Sequence, residues 1–494
     1  MNVNPAIFRE YDIRGVIDTG FSEKAVAEYE KWYGSFPGVT LPDEVVQAIG
    51  KAYGTFIQKE SGKKVIVGYE IRPSAERIKE LFIEGILSSG CDVADIDVAL
   101  TPLVYFTVAH GGYDGGVNIT GSHNVYFYNG FKLMKRGVQP LFGEELQEMK
   151  QMIIGDRIPD STRRGTREFL EAFPVYLAYL TTHITLSKKL KVVVDCGNGS
   201  AGIFAPQILR KLGCDVIELY TAPDATFPNH IPDPEQSQFL DELRELVVKE
   251  HADVGIAFDA DGDRVGFVDE TGVFWEADLI TLLFAKDVLS RNPGKKILFD
   301  IKSSLLLSEL VPQFGGISLM HRTGHAPIKD TLRKDPEIIF GGEKSGHFFF
   351  VEDYFRIDDG LWAASRMLEI IAREGALSAL MNAFPKRVAT PEFKLPCADE
   401  KKFEVVKRIS ESLSRQYPSI AVDGIRFTIS PTGWGLIRAS NTSPYLTARA
   451  EGVDEEEVKK IKSILADELE RFPEVIDRLD RSVVARLGGR LGWV

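Results

Sequence analysis

Three times along the chain a short run of β-branched and apolar residues passes through a polar turn into a helix-forming stretch closed by glycine, and then into a second apolar run. The first copy runs from Val65-Ile66-Val67 through a helix after Ser74 to Ser89-Gly90-Cys91-Asp92-Val93. The second runs from Val192-Val193-Val194 through a helix after Ser200 to Leu212-Gly213-Cys214-Asp215-Val216, and the third from Ile297-Leu298-Phe299 to Phe314-Gly315-Gly316-Ile317. This succession predicts α/β organisation. The Gly-Cys-Asp-Val shared by the first two copies points to internal repetition, although short strand-helix units also recur in unrelated folds. Past Val388-Ala389-Thr390-Pro391 the pattern stops, and the rest reads as a strand-and-helix domain. The predicted domains are 1–168, 169–277, 278–388 and 389–494.

Length agrees with this division, because a single core seldom grows past roughly 250 to 300 residues and the chain has 494. With 44% hydrophobic and 27% charged residues it has the composition of an ordinary folded protein. The N-terminus lacks a basic stretch followed by an apolar one, and no apolar run approaches the ~18 residues of a membrane span. A cytoplasmic protein without a membrane partner is expected. Cys91, Cys196, Cys214 and Cys397 are far apart and suggest free, buried thiols rather than disulfides or a zinc site. A net charge of −13 argues against nucleic acid as a partner, so any anion site must be built locally.

The first chemical signal is Asp259-Ala260-Asp261-Gly262-Asp263-Arg264, bracketed by two apolar strands. On a straight strand alternate carboxylates sit ~6.6 Å apart, whereas oxygens sharing one Mg²⁺ each lie about 2.0–2.1 Å from it. The chain must curl, and Gly262 permits that. Two charges ~4 Å apart repel by about 4 kcal/mol at an effective dielectric of about 20, so three gathered carboxylates call for a cation. The alternative is an exposed turn with its side chains splayed into water. A calcium EF-hand fails, because its sixth position holds Arg264 where glycine is required and its flanks are strands.

The second signal is Gly116-Val117-Asn118-Ile119-Thr120-Gly121-Ser122-His123-Asn124, followed by Asn129-Gly130-Phe131-Lys132. A strand ending in a tight polar loop could present Ser122 as a nucleophile, with His123 adjacent and Lys132 returning across the turn. A plain hydrogen-bonded turn has the same composition.

Taken together these residues resemble the α-D-phosphohexomutases, and the phosphomannomutase/phosphoglucomutase group more closely than the phosphoglucosamine mutases. Phe8-Arg9-Glu10-Tyr11-Asp12-Ile13-Arg14-Gly15 looks like the family's opening motif, Thr120 to Asn124 like its phosphoserine loop and Asp259 to Arg264 like its metal loop. Gly341 to His347 looks like its sugar-recognition loop and Arg438 to Thr442 like its phosphate-binding loop. The resemblance implies three related mixed α/β domains plus a smaller C-terminal domain resembling the TATA-binding protein fold, all around a central cleft.

It also implies a mutase that interconverts hexose 1-phosphate and hexose 6-phosphate, of mannose, glucose or both, through phosphorylated Ser122 and a hexose 1,6-bisphosphate that also serves as activator. One Mg²⁺ per chain is implied on Ser122, Asp259, Asp261 and Asp263. Arg14, Lys132, His123 and His347 fall at its catalytic positions, with Lys132 and His347 as proton carriers. Arg264, Lys302, His325, Lys329, Glu343 and Ser345 fall at substrate positions, the last two reading the 3- and 4-hydroxyls. Arg438, Ser440, Asn441, Thr442 and Arg449 would hold the phosphate that is not reacting. The chain departs from the pattern at Val125-Tyr126-Phe127, where proline usually follows Asn124, and at Asp18 to Val39, a longer link than usual. It departs again at Ser443 and in the tail after Phe472. A bisphosphate synthase or phosphatase on the same scaffold, a phosphoglucosamine mutase, and a relative that only binds sugar phosphate are the rival readings. The oligomeric state stays open between monomer and homodimer.

Overall fold

The computed structural model describes residues 3–17, 36–122, 124–441 and 444–476, together with 22, 23, 26, 27 and 30. His123, Thr442, Ser443, the tail from 477 onward and most of the stretch from 18 to 35 lie outside the described residues.

Four sheets organise the chain, and the first three share one plan. In the first, Lys64–Tyr69 pairs in parallel with both Asp92–Val98 and Gly115–Ile119, and Tyr128–Lys135 returns antiparallel to Gly115–Ile119. In the second, Lys191–Asp195 lies between Asp215–Leu219 and Val254–Phe258, and Val265–Asp269 returns. In the third, Lys296–Asp300 lies between Ile317–His321 and Ile338–Gly342, and Phe348–Phe350 returns. The repeated Gly-Cys-Asp-Val occupies the same place twice. Gly90 and Gly213 both adopt positive φ after their helices, and the following aspartates register on lysines, Lys64 with Asp92 and Lys191 with Asp215.

Further strands extend the first sheet. Ile13–Val16 caps one edge on Tyr128–Lys135, and Arg167–Phe169 caps the other on Asp92–Val98. The boundary expected at residue 168 thus cuts through an edge strand of the first sheet, and the one expected at 388 cuts through Val388–Ala389 of the last. Burial is what holds the α/β units together. One apolar cluster runs from Ile66 through Val194 and Phe267 to Phe350 and Met381, so that three sheets share a continuous core.

The last sheet is antiparallel, in the order Val388–Ala389, Tyr445–Gly452, Trp434–Ala439, Ile425–Thr428, Ser419–Ile420. Its alternation is clean. Ile437, Ala448 and Ala450 face helices Lys402–Leu413 and Glu455–Leu469, whereas Trp434 and Leu436 pack on Ile301 of the third domain. Arg426 secures that second face by donating to the carbonyls of Ile301 (2.9 Å) and Ser303 (2.6 Å). Among the described residues no helix is long and apolar enough to cross a membrane.

Candidate active site

Three of the sequence motifs with chemistry lie in the loops of antiparallel hairpins. Ser122 lies between Gly115–Ile119 and Tyr128–Lys135, Asp259 to Arg264 between Val254–Phe258 and Val265–Asp269, and Glu343 to His347 between Ile338–Gly342 and Phe348–Phe350. These are the same position in three copies of one unit. The Arg438 loop joins the last sheet's two central strands.

The loops meet across the cleft. Thr101, which opens a helix of the first domain, donates its N–H to the Asp261 carbonyl at 3.0 Å and its hydroxyl to Asp261 Oδ2 at 2.6 Å. Gly346 accepts from the Val265 N–H, and Gly262 from the Gly360 N–H. Tyr11 sets its ring edge-on against His325 at 5.4 Å, and Arg9 reaches Asp399 of the last domain at 3.3 Å.

Ser122 is buried and holds φ at 52°. Its N–H donates to Thr120 Oγ1 at 2.7 Å, while Asn124 turns back on Gly121 through both its backbone and its side-chain amide. Two of the departures from the family pattern meet at this loop. Phe127 is buried among Val16, Val125, Tyr126 and Tyr128, and Phe36 of the extended link packs edge-on against it at 5.9 Å.

Asp259, Asp261 and Asp263 are fully buried, and each offers a carboxylate oxygen within 4.8 Å of the others. The splayed-turn reading is excluded by that burial. Lys132 Nζ lies 2.6 Å from Asp261 Oδ2 and also pairs with Asp263. Arg264 pairs with Asp259 and with Asp233, each at 2.9 Å. Burial drives the Asp259 carboxyl well above the usual range, and the neighbouring carboxylates add to it. Burial also acts to raise Asp263, yet the Lys132 ammonium and His347 hold it well below. Two oxygens, Asp261 Oδ1 and Asp263 Oδ1, are buried without a hydrogen-bond partner. Buried anionic oxygens gathered within 4.8 Å of one another fit a hard divalent cation.

Glu343 is buried and accepts from the Gly324 N–H at 2.7 Å. His347 touches Ser345 Oγ (2.9 Å), Glu343 (3.3 Å) and Asp263 (3.6 Å). Burial opposes its protonation, but those two carboxylates outweigh it and push its pKa up to about 10. His325 behaves in the opposite way, since burial and then the Lys329 and Lys132 cations drive it well below the usual imidazole range. Lys329 is buried, paired with Asp358 at 2.8 Å and seated 4.0 Å over the Tyr105 ring. Tyr11, Tyr105, Lys132, His325 and Lys329 line one small recess.

Lys302 is buried too and bound to Glu392 at 2.7 Å, so neither it nor Lys329 is a solvated surface cation. Arg438 is buried, bonded through Nε to Asp423 at 2.9 Å, and its Nη2 has no hydrogen-bond partner among the described residues. Arg449, expected to reinforce that loop, instead turns to Asp278 at 3.0 Å and to the Lys302 carbonyl at the seam with the third domain. Register explains it: Arg449 lies opposite Leu436, on the sheet face that docks against Ile301. Arg14 bonds Asp12 at 2.7 Å and also keeps a buried, unpaired Nη1.

Sequence reasoning missed the acids that hold these cations, Asp233, Asp358, Glu392 and Asp423, and it missed Glu70 and Arg72 beneath the serine loop. A signal for the last two existed. They directly follow the first apolar run of the repeat, at the carboxyl end of a parallel strand, where α/β sheets place their sites.

Fold and site together define a four-domain enzyme that handles a phosphorylated substrate in a cleft shared by all its domains. The chain belongs to the phosphoglucomutase/phosphomannomutase family: residues 5–156, 174–272 and 276–388 match its alpha/beta/alpha domains I, II and III, and residues 392–468 match its C-terminal domain. It is similar to the phosphomannomutase/phosphoglucomutase of Pseudomonas aeruginosa, 38% identical over 466 residues that cover 94% of this chain and 95% of the relative. A phosphoglucomutase of Neisseria gonorrhoeae is 33% identical over 95% of this chain and 98% of its own length. A crystal structure of a phosphoglucomutase/phosphomannomutase family protein from Burkholderia thailandensis superposes with a TM-score of 0.85 at 33% identity, covering 97% of this chain and 99% of that one.

Proposed function

We propose that this chain is a phosphohexomutase that interconverts the 1- and 6-phosphates of glucose and mannose, with Ser122 as the phosphorylated residue and a hexose 1,6-bisphosphate as intermediate and activator. One observation carries the reading. Among the described residues, buried donors on Arg14, Arg264 and Arg438 lack hydrogen-bond partners, and so does one buried oxygen on each of Asp261 and Asp263. An unsatisfied buried polar group costs about 1–3 kcal/mol, and a phosphosugar with its cation would satisfy both sets.

In this reading Asp259, Asp261 and Asp263 hold Mg²⁺, which supplies positive charge against phosphoryl oxygens. Arg14 and Arg264 bring donors to the same oxygens. Lys132, whose ammonium is favoured by Asp261 and Asp263 despite burial, holds a proton beside the serine loop, and His347 holds one between Asp263 and Glu343. Glu343 and Ser345 face the sugar hydroxyls that glucose and mannose share, so little reads C2. Arg438, Ser440 and Asn441 grip the distal phosphate. The phosphoryl group leaves Ser122 Oγ for the free sugar hydroxyl, the Lys132 ammonium gives a proton to the released Oγ, that hydroxyl's proton restores the ammonium, and the bisphosphate turns over to return its other phosphate to Ser122.

The test has two arms. Intact-mass analysis after incubation with hexose 1,6-bisphosphate should place one phosphate on Ser122. Isomerisation assays on glucose, mannose and glucosamine 1-phosphates, run beside a phosphate-release assay, should show turnover of the first two. Phosphate mapped elsewhere, or release without isomerisation, would overturn the reading.

A further inference from the structure

Two charged residues lie beneath the serine loop and bond it directly. Arg72 donates to the carbonyls of Ser122 (2.5 Å), Asn124 (3.0 Å), Val125 (2.7 Å) and Tyr128 (3.0 Å). Its Nε is paired with Glu70, which also accepts the Gly121 N–H at 2.6 Å, and both side chains are fully shielded from solvent. A Cβ at residue 121 would lie 2.3 Å from the guanidinium carbon, so Gly121 is the residue that lets the fork slide under the loop. Between the two charged residues, the Ile71 N–H donates to Ser200 Oγ at 2.8 Å, and the Ser200 N–H donates to the Ala260 carbonyl at 2.9 Å. Ala260 lies between the first two aspartates of the metal loop.

The geometry points to Glu70 and Arg72 as positioning residues that fix Ser122 relative to the aspartate triad and so decide whether its phosphoryl group goes to sugar or to water. This rests on the phosphoserine reading of Ser122. The physical argument is one of rigidity. A guanidinium presents five N–H donors in a planar fork, which lysine cannot copy. Here the fork bonds four carbonyls of a loop that lacks the proline usual after Asn124. The Ile71 to Ser200 to Ala260 chain then ties the fork to the metal loop of the second domain, and the Phe227 ring of that domain covers the guanidinium at 5.3 Å. Misplacement of a reacting group by about 1 Å can cost on the order of 10²-fold in rate. A serine loop released from the fork would also admit water. In that leak a water oxygen bonds to phosphorus, the Ser122 Oγ–P bond breaks, a water proton passes to Oγ, and orthophosphate leaves.

The experiment compares wild type, Arg72→Lys and Glu70→Gln, each loaded with hexose 1,6-bisphosphate and held with Mg²⁺. Three quantities are read: kcat and KM for glucose 1-phosphate, phosphate released per isomerisation, and the melting temperature. The expected result for Arg72→Lys is a kcat lower by about 10²-fold with KM nearly unchanged, and a release-to-isomerisation ratio higher by about 10-fold or more. Glu70→Gln keeps an oxygen for the Gly121 N–H but loses the ion pair, and should shift the same quantities less. A lower melting temperature with kcat and the release ratio at wild-type values would assign the pair a purely structural role and overturn the proposal. Should Arg72→Lys fail to fold, Glu70→Gln decides alone by the same criteria. Failure of the underlying reading looks different, because wild type itself would then carry no phosphate on Ser122.

Discussion

Lys132 Nζ, on a strand of the first sheet, lies 2.6 Å from Asp261 Oδ2 in the aspartate loop of the second, so an ammonium 129 residues away partly neutralises the triad. The pair accounts for the tolerance of three buried carboxylates, yet Asp261 keeps a second oxygen unpaired. Asp261→Asn preserves shape and removes charge. It should lower kcat by about 10²-fold or more and weaken Mg²⁺ binding in calorimetry, while circular dichroism and melting stay close to wild type. Wild-type metal affinity and turnover in this variant would exclude the triad as the metal site.

Arg438→Lys tests the distal phosphate grip. Lysine can neither bond Asp423 through Nε nor present the spare Nη2 at the same time. The loss should be roughly 10- to 100-fold in kcat/KM, and similar for glucose and mannose 1-phosphates, because in the proposed reading the loop contacts phosphate rather than ring. A loss confined to one sugar would mean that the loop reads the epimer.

His230 supplies a pH prediction at a group that the proposed chemistry does not use. Its Nδ1 faces the Ile231 carbonyl at 2.9 Å and its Nε2 faces Asp195 at 3.1 Å, so both ring nitrogens have acceptors. Burial opposes protonation, but Asp195 outweighs it and the pKa is raised. A raised folded-state value stabilises the protein below the unfolded pKa of about 6.5, and that contribution is lost as pH climbs through the folded value. The melting-temperature gap between wild type and His230→Gln should therefore be widest near pH 5.5 and narrow toward about pH 9. A constant gap would show that the pair is not protonated.

Phe284 joins the second and third domains. It is fully buried, with its ring against Phe267 of one sheet and against Phe340, Phe348 and Phe350 of the other. Phe284→Ala should cost about 3–5 kcal/mol, read calorimetrically as a lower melting transition. An unchanged transition would mean that the two domains unfold independently of this contact.

How far the sequence could be read follows from where each signal lies. The serine, aspartate, sugar and phosphate motifs are contiguous, so their chemistry is visible in a few adjacent letters. The strand-helix-strand repeat is visible for the same reason, through Gly-Cys-Asp-Val and the apolar runs. The equivalence of the three hairpin loops is not, because Thr120 to Asn124, Asp259 to Arg264 and Gly341 to His347 differ in length and spacing and the sheet pairing is what aligns them. The partners of the cations are hidden by distance: Asp423 meets Arg438 across a strand turn, Asp358 meets Lys329 from the far side of a hairpin, and Glu392 meets Lys302 from another domain. Single carboxylates in a chain with 72 of them carry no local signature. Likewise the extended link and the altered serine loop read as two unrelated departures, and only the contact of Phe36 with Phe127 makes them one.

In the proposed reading, three copies of one strand unit thus carry three different tools at one address: a nucleophile, a cation cradle and a hydroxyl reader. Tools mounted this way are interchangeable parts. Each sits on its own hairpin and its own sheet, so a lineage could retune the hydroxyl reader for another sugar while the serine and aspartate hairpins kept their letters. Duplication would then have supplied something a single domain lacks, three independently adjustable surfaces aimed at one small molecule.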